Sequence, residues 1–280
     1  MAAVVTGASA TLTLAQKNTL LFPQAPGMVS YTYRTSFQKD VAATLDMVKA
    51  NGVTDIEFSN LFNKTPEELR RLIDERGIKC SSYGVSYDDL VNKTAEVANA
   101  AKTLGASYVR VAGIPHTGAF TLENAQKAVA DFNKFGKILK DQHGLEFIYH
   151  NHGFEFQPYQ DGTLYDYLVK NTDAKYVSFE MDILWAFLPG QDPAALLNKY
   201  GTCYKALHLK DLRKGVERGN LSGGTPQEND VILGTGQIDI PAILKAAQKA
   251  GIQHYYIEDE SSVSISQVPE SIKYIQELKK

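Results

Sequence analysis

The chain has 280 residues, of which 44% are hydrophobic and 22% charged, and its formal net charge is −3. This composition is typical of a globular protein, and the balance of charges excludes a strongly basic surface for nucleic acid or anionic membrane. No apolar run reaches the roughly 20 residues that a membrane-spanning helix needs. The two cysteines, Cys80 and Cys203, lack CxxC spacing, which favours buried free thiols over a disulfide.

The first 16 residues are uncharged and rich in Ala, Thr and Val. They are similar to the apolar part and small-residue end of a signal peptide, but the basic segment that normally precedes it is missing. We therefore predict an N-terminal tail or leader remnant over residues 1–26 and a single domain over residues 27–280. A leader remnant would indicate a periplasmic protein, and its absence a cytoplasmic one, so the sequence leaves the compartment open.

Strand and helix patterns alternate from residue 27 onward. In the first half, strands are predicted over residues 27–33, 55–58, 79–85 and 108–112, and helices over 37–51, 65–77, 88–104 and 121–144. The helix at Thr65-Pro66-Glu67-Glu68 has a cap residue, a proline at its first position and a glutamate at its third. In the second half, strands are predicted over 146–150, 177–181, 204–209 and 255–257, and helices over 164–171, 192–200, 240–250 and 268–278.

Eight such units in one chain of this length predict an α/β fold, a single (β/α)8 TIM barrel. A doubly wound open sheet is the alternative. That fold should carry a glycine-rich phosphate turn after its first strand, and Tyr31-Thr32-Tyr33-Arg34 is not such a turn. One connection is unusually long, at residues 210–239. A long loop on the catalytic face of a barrel is usually functional, often a lid, although a flexible insertion is the other interpretation.

Three residues that can bind a metal follow three successive predicted strands. Asp182 and Glu258 end strands six and eight, and His208 lies in strand seven. The carboxyl ends of barrel strands open on one face, so we expect these side chains to converge. Taken singly, each is more often structural, but a cluster of buried carboxylates repels itself unless a cation is present. Mixed nitrogen and oxygen ligands suit Mn²⁺, Co²⁺, Zn²⁺ or Fe²⁺.

The segment after strand five supplies the fourth ligand and a candidate acid or base. His150 and His152 are two residues apart and share one face if the strand continues, and Glu155 lies just beyond. His150 is nearest to the barrel interior, so it is our predicted ligand, although His152 or Glu155 could equally reach the ion. The groups that do not bind the ion are candidates for proton transfer. The alternative is a structural histidine pair bonded to loop carbonyls.

Five further side chains are candidates for contacts with substrate or intermediate. Lys210 shares a strand face with His208 and suits an anionic intermediate, and Arg213 suits a hydroxyl or carboxylate. Trp185 follows Asp182 by three residues and is a candidate wall for a sugar ring. Glu57 and His116 follow strands two and four and are weaker candidates. Solvated loop charges and packing at the barrel rim are the alternative interpretations.

Several segments resemble the xylose isomerase-like TIM-barrel superfamily. This superfamily includes sugar phosphate isomerases and epimerases, inosose dehydratase, and a branch of apurinic-site endonucleases. The resemblance extends over about residues 27 to 280, and its motifs are specific for the superfamily without determining the substrate. The matching segments are YHNHGFEF (149–156), EMDILW (180–185), HLKDLR (208–213), LGTGQIDIPAIL (233–244) and YIEDE (256–260).

The resemblance implies one divalent ion, held in the family by Glu, Asp, His and Glu from the last four strands. Asp182, His208 and Glu258 match three of these positions, and His150 stands in place of the first glutamate. In the epimerase branch the first and last glutamates also transfer the proton, so this replacement argues against two-base epimerisation. The Tyr-His-x-His and His-Leu-Lys-Asp-x-Arg segments are more similar to the inosose dehydratase branch. Trp185 stands where the endonuclease branch has a histidine, and the net negative charge also argues against DNA.

We therefore predict a metal-dependent sugar isomerase or epimerase that acts on a sugar or keto-sugar through an enediolate intermediate. A dehydratase or other lyase on the same substrate class shares that intermediate and is the alternative. A non-catalytic sugar-binding barrel is the third hypothesis. The expected cofactor is one divalent ion and the expected partner a small carbohydrate, with neither nucleic acid nor membrane, and a homo-oligomer is left open.

The residues predicted to form the site fall into three groups. The metal ligands are His150, Asp182, His208 and Glu258. The catalytic residues are Glu155, His152, Lys210 and Glu258. The substrate-binding residues are Trp185, Arg213, Glu57 and His116.

Overall fold

The computed structural model of the protein describes residues 21–22 and 25–279. Its centre is a closed barrel of eight parallel strands, each paired with its neighbours in chain order. This confirms the predicted (β/α)8 barrel. Most of the predicted N-terminal tail, residues 1–20 and 23–24, lies outside the described residues. The barrel strands are β1 (Gly27–Val29), β2 (Asp55–Phe58), β3 (Lys79–Val85), β4 (Tyr108–Val111), β5 (Glu146–His150), β6 (Val177–Asp182), β7 (Tyr204–Leu209) and β8 (His254–Ile257).

Helices follow the strands and surround the barrel. Within the described part of the chain, none of them is both long enough and apolar enough to cross a membrane. The helices are α1 (Arg34–Lys39), α2 (Val41–Ala50), α3 (Pro66–Asp74), α4 (Tyr87–Asn92), α5 (Thr94–Leu104), α6 (Leu122–His143), α7 (Leu164–Asn171), α8 (Ile183–Phe187), α9 (Pro193–Tyr200), α10 (Ile240–Ala250) and α11 (Ser264–Glu277).

The first unit differs most from the prediction. Strand β1 ends at Val29, and a 3-10 turn follows at once, where the prediction extended the strand to residue 33. The single helix predicted over residues 37–51 is two helices that meet at Asp40. The backbone of Asp40 is extended (φ −155°, ψ 105°), and its side chain accepts a hydrogen bond from the amide of Ala43. Aspartate favours this capping geometry, so α1 ends where α2 begins.

Other helix boundaries also differ. The helix predicted over residues 88–104 is divided at Lys93 into α4 and α5. Helix α11 starts at Ser264, four residues before the predicted start, and continues through Pro269. Helix α8 was not predicted; Asp182 caps it by accepting a hydrogen bond from the amide of Trp185 at 2.8 Å.

The two cysteines are free thiols, as predicted. Cys80 is buried in β3, whereas Cys203 is half-buried because it lies in a 3-10 turn just before β7. The long loop after β7 is ordered by its own contacts: a two-stranded ladder pairs residues 211–212 with residues 230–231. The amide of Gly219 also donates to the carbonyl of Leu188 at 2.7 Å. The loop therefore packs against the barrel rim instead of forming a flexible insertion.

Candidate metal centre and active site

The carboxyl ends of four successive strands, β5 to β8, bring four potential metal ligands together. One ligand atom from each of His150, Asp182, His208 and Glu258 lies within 4.8 Å of the others. All four side chains are buried. A second group, formed by Glu57, Glu180 and His208, shares the same histidine. The predicted ligands therefore converge, since parallel strands present their ends at one face.

Two carboxylates in this cluster have oxygens without partners. Asp182 Oδ2 and Glu180 Oε1 are buried and take no hydrogen bond from any described residue. Burial raises the pKa of Asp182 to about 8, although the nearby ammonium of Lys210 opposes this shift. Buried oxygens of this kind are costly unless a cation or donor satisfies them. The donor set of two imidazoles and two carboxylates, together with the unpartnered Asp182 oxygen, fits a divalent ion.

His208 lies at the centre of the carboxylate cluster. Its Nδ1 is 2.7 Å from Glu258 Oε2, and its Nε2 is 3.0 Å from Glu57 Oε1. Burial lowers the pKa of His208, but the charges of Glu180 and Glu258 outweigh burial and hold it well above the ordinary value. A bound cation would compete with a proton for this position, because metal ligation requires neutral imidazole.

Lys210 is fully buried beside the cluster. Its Nζ donates a hydrogen bond to Glu260 and lies 3.7 Å from Glu258 and 3.8 Å from Asp182. The ammonium also lies over the ring of Trp185, 4.9 Å from its centre. Burial lowers the pKa of Lys210, but these carboxylates outweigh burial and raise it well above its ordinary value. Lys210 is therefore a permanent positive charge that offsets the surrounding carboxylates.

A cavity of about 710 Å³ opens above the cluster. His150, His152, Trp185 and Glu258 line it on the side of β5 to β8. The ends of β3 and β4 and the loops after β1 to β4 form the other side, with Tyr31, Gly84, Tyr87, Arg110 and Gly113 among the lining residues. The volume lies within the range of roughly 300–1,000 Å³ that is usual for small-molecule sites.

Comparison with known proteins identifies the family. A family model described as xylose isomerase-like TIM barrel matches residues 45–278. The chain belongs to this family. An inosose dehydratase from Clostridium beijerinckii is 26% identical over 221 residues, which cover 69% of this chain and 73% of that protein.

Solved structures of other proteins share the fold. A sugar phosphate isomerase/epimerase from Parabacteroides distasonis has a TM-score of 0.73 and 23% identity, over 99% of this chain and 98% of that one. The IOLI protein, solved with a bound zinc atom, has a TM-score of 0.70 and 15% identity over 90% of this chain and 95% of that one. The resemblance predicted from the sequence is thus confirmed, and both dehydratases and isomerase/epimerases are among the similar proteins.

His152 has the environment expected of a group that contacts substrate. Its ring stacks with Phe154 and with Trp185, at centroid distances of 5.7 and 5.9 Å. Nδ1 is buried and has no hydrogen-bond partner among the described residues. Because Nδ1 is not accessible, Nε2 is the ring nitrogen that can contact a ligand in the cavity. Burial lowers the pKa of His152 to about 4, so the imidazole is neutral at physiological pH.

Glu155, predicted to be catalytic, does not line the cavity. The 3-10 turn over residues 154–156 directs it inward, where it is fully buried. Its carboxylate accepts hydrogen bonds from the Tyr149 hydroxyl and from the amide of His152. Burial raises its pKa to about 7, against the effect of these hydrogen bonds. The geometry favours a role in holding the His150–His152 segment over direct contact with substrate.

The raised pKa of Glu155 predicts a pH-dependent contribution to stability. Because the folded-state value of about 7 exceeds the ordinary 4.5, this contribution is full below pH 4.5 and is lost as pH rises through 7. Relative to Glu155→Gln, which does not titrate, the free energy of unfolding should therefore fall by about 3 kcal/mol across that range. Urea unfolding of both proteins at several pH values measures the difference. A pH-independent difference would contradict the prediction, and Glu270→Gln on the exposed face of α11 is the control.

Three of the predicted substrate contacts are not among the described residues that line the cavity. Arg213 is exposed, and its guanidinium donates to Asn229 Oδ1 at 2.6 Å, so it anchors the long loop. His116 packs against Phe120, and its Nδ1 lies 2.7 Å from the carbonyl of Ile114. Glu57 is fully buried beneath the cluster. Trp185 is the predicted contact that does line the cavity.

Three charged residues of the site had no role predicted from the sequence, although Glu180 and Glu260 lie in the segments EMDILW and YIEDE. Arg110 lies in β4 and lines the cavity, with its Nε 2.7 Å from Glu57. Glu180 lies in β6, where its Oε2 is 3.2 Å from His150 Nδ1. Glu260 pairs with Lys210 and also lines the cavity. The available signal was a single charged side chain inside an otherwise apolar barrel strand, as in Tyr-Val-Arg-Val at 108–111.

Proposed function

We propose that this protein is a metal-dependent carbon–oxygen lyase that acts on a cyclic keto-polyol or keto-sugar. His150, Asp182, His208 and Glu258 hold the ion in this proposal. A divalent ion in this position supplies Lewis-acid polarisation of a substrate carbonyl. The zinc atom of the structurally similar IOLI protein supports a metal in a barrel of this fold. The clustered ligand atoms and the unpartnered oxygen of Asp182 support it in this chain.

His152 is the proposed general base. It lines the cavity, its stacked ring has a fixed orientation, and no described residue occupies its ring nitrogens. In the reaction, the proton on the carbon next to the carbonyl moves to His152 Nε2. The electron pair of that C–H bond forms the enediolate, and the carbon–oxygen bond at the next carbon then breaks. The departing oxygen takes a proton from solvent, and His152 releases the proton that it removed to solvent, so the products are an unsaturated ketone and water or an alcohol.

The observation that carries elimination over epimerisation is the asymmetry of the two sides of the site. The β5 side presents two imidazoles, His150 and His152. After β8 come the carboxylates Glu258 and Glu260, with the ammonium of Lys210 from the end of β7 beside them. Epimerisation requires two matched groups, one on each face of the substrate carbon. The group that returns the proton in one direction of the reaction removes it in the reverse direction. Elimination requires one base and an acid of another kind. The curated relative named inosose dehydratase supports the same class.

An isomerase or epimerase is the second candidate, and the sequence analysis ranked it first. Two buried carboxylates, Glu180 and Glu258, flank His208 and are available in principle as a pair. Several proteins of the same fold are isomerases or epimerases, including the one from Parabacteroides distasonis. Glu180 argues against this candidate, because its Oε2 is already paired with His150 and the residue does not line the cavity.

Product analysis distinguishes these candidates. The metal-loaded protein should be incubated with scyllo-inosose and with 3-keto-glycosides, and the products followed by ¹H NMR. The lyase predicts a new vinylic signal together with release of water or of the glycoside's alcohol. A new sugar stereoisomer or ketose without a vinylic signal would overturn the lyase proposal and favour the second candidate. Metal binding without turnover of any keto-sugar would favour a non-catalytic binding barrel.

A further inference from the structure

Arg110 is a buried cation that faces the cavity with free donors. Its side chain is 6% exposed and lines the cavity from strand β4. Glu57 lies 2.7 Å from its Nε but outside hydrogen-bonding geometry, and Nε has no partner among the described residues. None of the described residues accepts a hydrogen bond from the guanidinium of Arg110. The carboxylates of Glu57 and Glu180 offset the charge of the guanidinium but do not satisfy its N–H donors. Buried donors without acceptors are costly, so they indicate an acceptor that arrives with a ligand.

The space beside Arg110 is kept open by residues without bulky side chains. A Cβ atom on Gly84 would lie 2.6 Å from Arg110 Nη2, so only glycine leaves the guanidinium in place. Gly113, also in the cavity wall, has no atom within 4 Å of where its Cβ would be. Ala112 and Ser59 complete this recess. Arg110 lies on β4, beside the strand β5 that carries His150 at its end, and the proposed reaction does not use it.

The charge around the recess is unsuitable for a phosphate. Among the described residues that line the cavity, Arg110 is the one permanent cation, and Asp88, Glu258 and Glu260 are carboxylates. Glu57 and Glu180 lie 2.7 and 3.7 Å from Arg110 and already offset its charge. A phosphate carries about 1.5 to 2 negative charges. A phosphate in the recess would therefore face several carboxylates, and the charge of the nearby cation, Arg110, is already offset by Glu57 and Glu180.

The glycine-rich turn after β7, which resembles a phosphate-binding loop in sequence, is already filled. TIM barrels frequently bind phosphate with backbone amides in the loops after their seventh and eighth strands. Here the amides of Gly234 and Gly236 both donate to Asp211 Oδ2, each at 2.9 Å. A Cβ atom on Gly236 would clash with the same carboxylate. The chain's own aspartate thus occupies the position that an anionic group would need.

We propose that Arg110 determines substrate specificity by binding uncharged carbonyl or hydroxyl oxygens, and that its carboxylate neighbours exclude phosphorylated sugars. This inference rests on the proposed function and names its substrate class as unphosphorylated keto-polyols. Arg110 therefore holds an oxygen of the substrate and positions its ring, while His152 moves the proton.

Calorimetric binding to the metal-loaded protein tests this proposal. The probes are scyllo-inosose and the matched pair D-xylulose and D-xylulose 5-phosphate. Wild-type protein should bind D-xylulose at least tenfold more tightly than its phosphate. Arg110→Met should weaken binding of scyllo-inosose at least tenfold with the metal content unchanged, and Arg110→Lys should lie between the two. Circular dichroism and thermal unfolding check that each variant is folded.

Glu57→Gln separates recognition from a structural role and covers the case in which Arg110→Met fails to fold. Removing the negative charge of Glu57 should lower the ratio of the affinities for D-xylulose and D-xylulose 5-phosphate several-fold. Loss of structure would not produce this effect. The proposal is overturned if Arg110→Met changes the affinity for scyllo-inosose less than twofold, or if wild-type protein binds the phosphate as tightly as D-xylulose. It is also overturned if wild-type protein binds neither neutral ketone. Binding without turnover would overturn the proposed function alone.

Discussion

Replacing Asp182 or His208 by alanine is expected to remove the divalent ion and to lower turnover about a thousandfold or more. Lewis-acid polarisation contributes several kcal/mol to the transition state, and 1.36 kcal/mol corresponds to a factor of ten. Both side chains are buried within the ligand cluster, so water cannot simply replace them. Elemental analysis of the purified variants and the NMR product assay measure the two effects.

Folding should be affected much less than metal content. The hydrophobic core is formed by other side chains, such as Met28, Phe147 and Leu207. The exposed Asp161 provides a control, since Asp161→Ala makes the same change away from the cavity and should retain both metal and turnover. Full metal occupancy in Asp182→Ala and His208→Ala would show that other residues bind the ion.

His152→Phe is expected to lower turnover by about 10² to 10⁴ while leaving the metal bound, which is the usual contribution of a general acid or base. Phenylalanine keeps the ring that stacks between Phe154 and Trp185 but removes both nitrogens. The effect should appear in kcat, since the proposed role is proton transfer and not metal binding.

The matched control for this variant is His143→Phe, at the end of α6 and away from the cavity. It makes the same chemical change and should keep turnover within about twofold of wild type, as surface substitutions usually have small effects. Loss of metal from His152→Phe would identify His152 as a ligand. Unchanged kcat with the metal retained would exclude it as the base.

The convergence of the four potential metal ligands could be predicted from the sequence, because they lie at or just after the ends of successive strands. Once the strands were assigned, the barrel geometry implied that His150, Asp182, His208 and Glu258 meet at one face. Their order along the chain therefore carried the necessary information. The same reasoning identified Trp185, three residues beyond Asp182, as part of the cavity wall.

Contacts across the barrel could not be predicted in this way. Arg110 and Glu57 lie on strands that are not neighbours, and their 2.7 Å contact depends on Gly84 leaving space between them. The order in which the strands pair does not specify how far, or in which direction, a side chain extends inside the barrel. Glu155, predicted as a candidate for proton transfer, shows the same limit for loops, because a 3-10 turn of three residues buries its side chain.

The glycine-rich segment after β7 illustrates a third limit. Gly234-Thr235-Gly236 has the composition of an anion-binding turn, and the sequence shows nothing of what fills it. In the structure, Asp211 takes the hydrogen bonds of both glycine amides. A motif of this kind indicates that an anion is bound, but the anion can be the protein's own carboxylate.

Release of label from the substrate tests the central claim most directly. Scyllo-inosose deuterated at the carbons next to its carbonyl should be incubated with metal-loaded protein in water and followed by ²H NMR. The enediolate mechanism predicts that deuterium enters the solvent at least as fast as the unsaturated ketone forms, and that His152→Phe slows its release by the same factor as turnover. Turnover with all of the deuterium retained next to the carbonyl would contradict proton abstraction and with it the proposed mechanism.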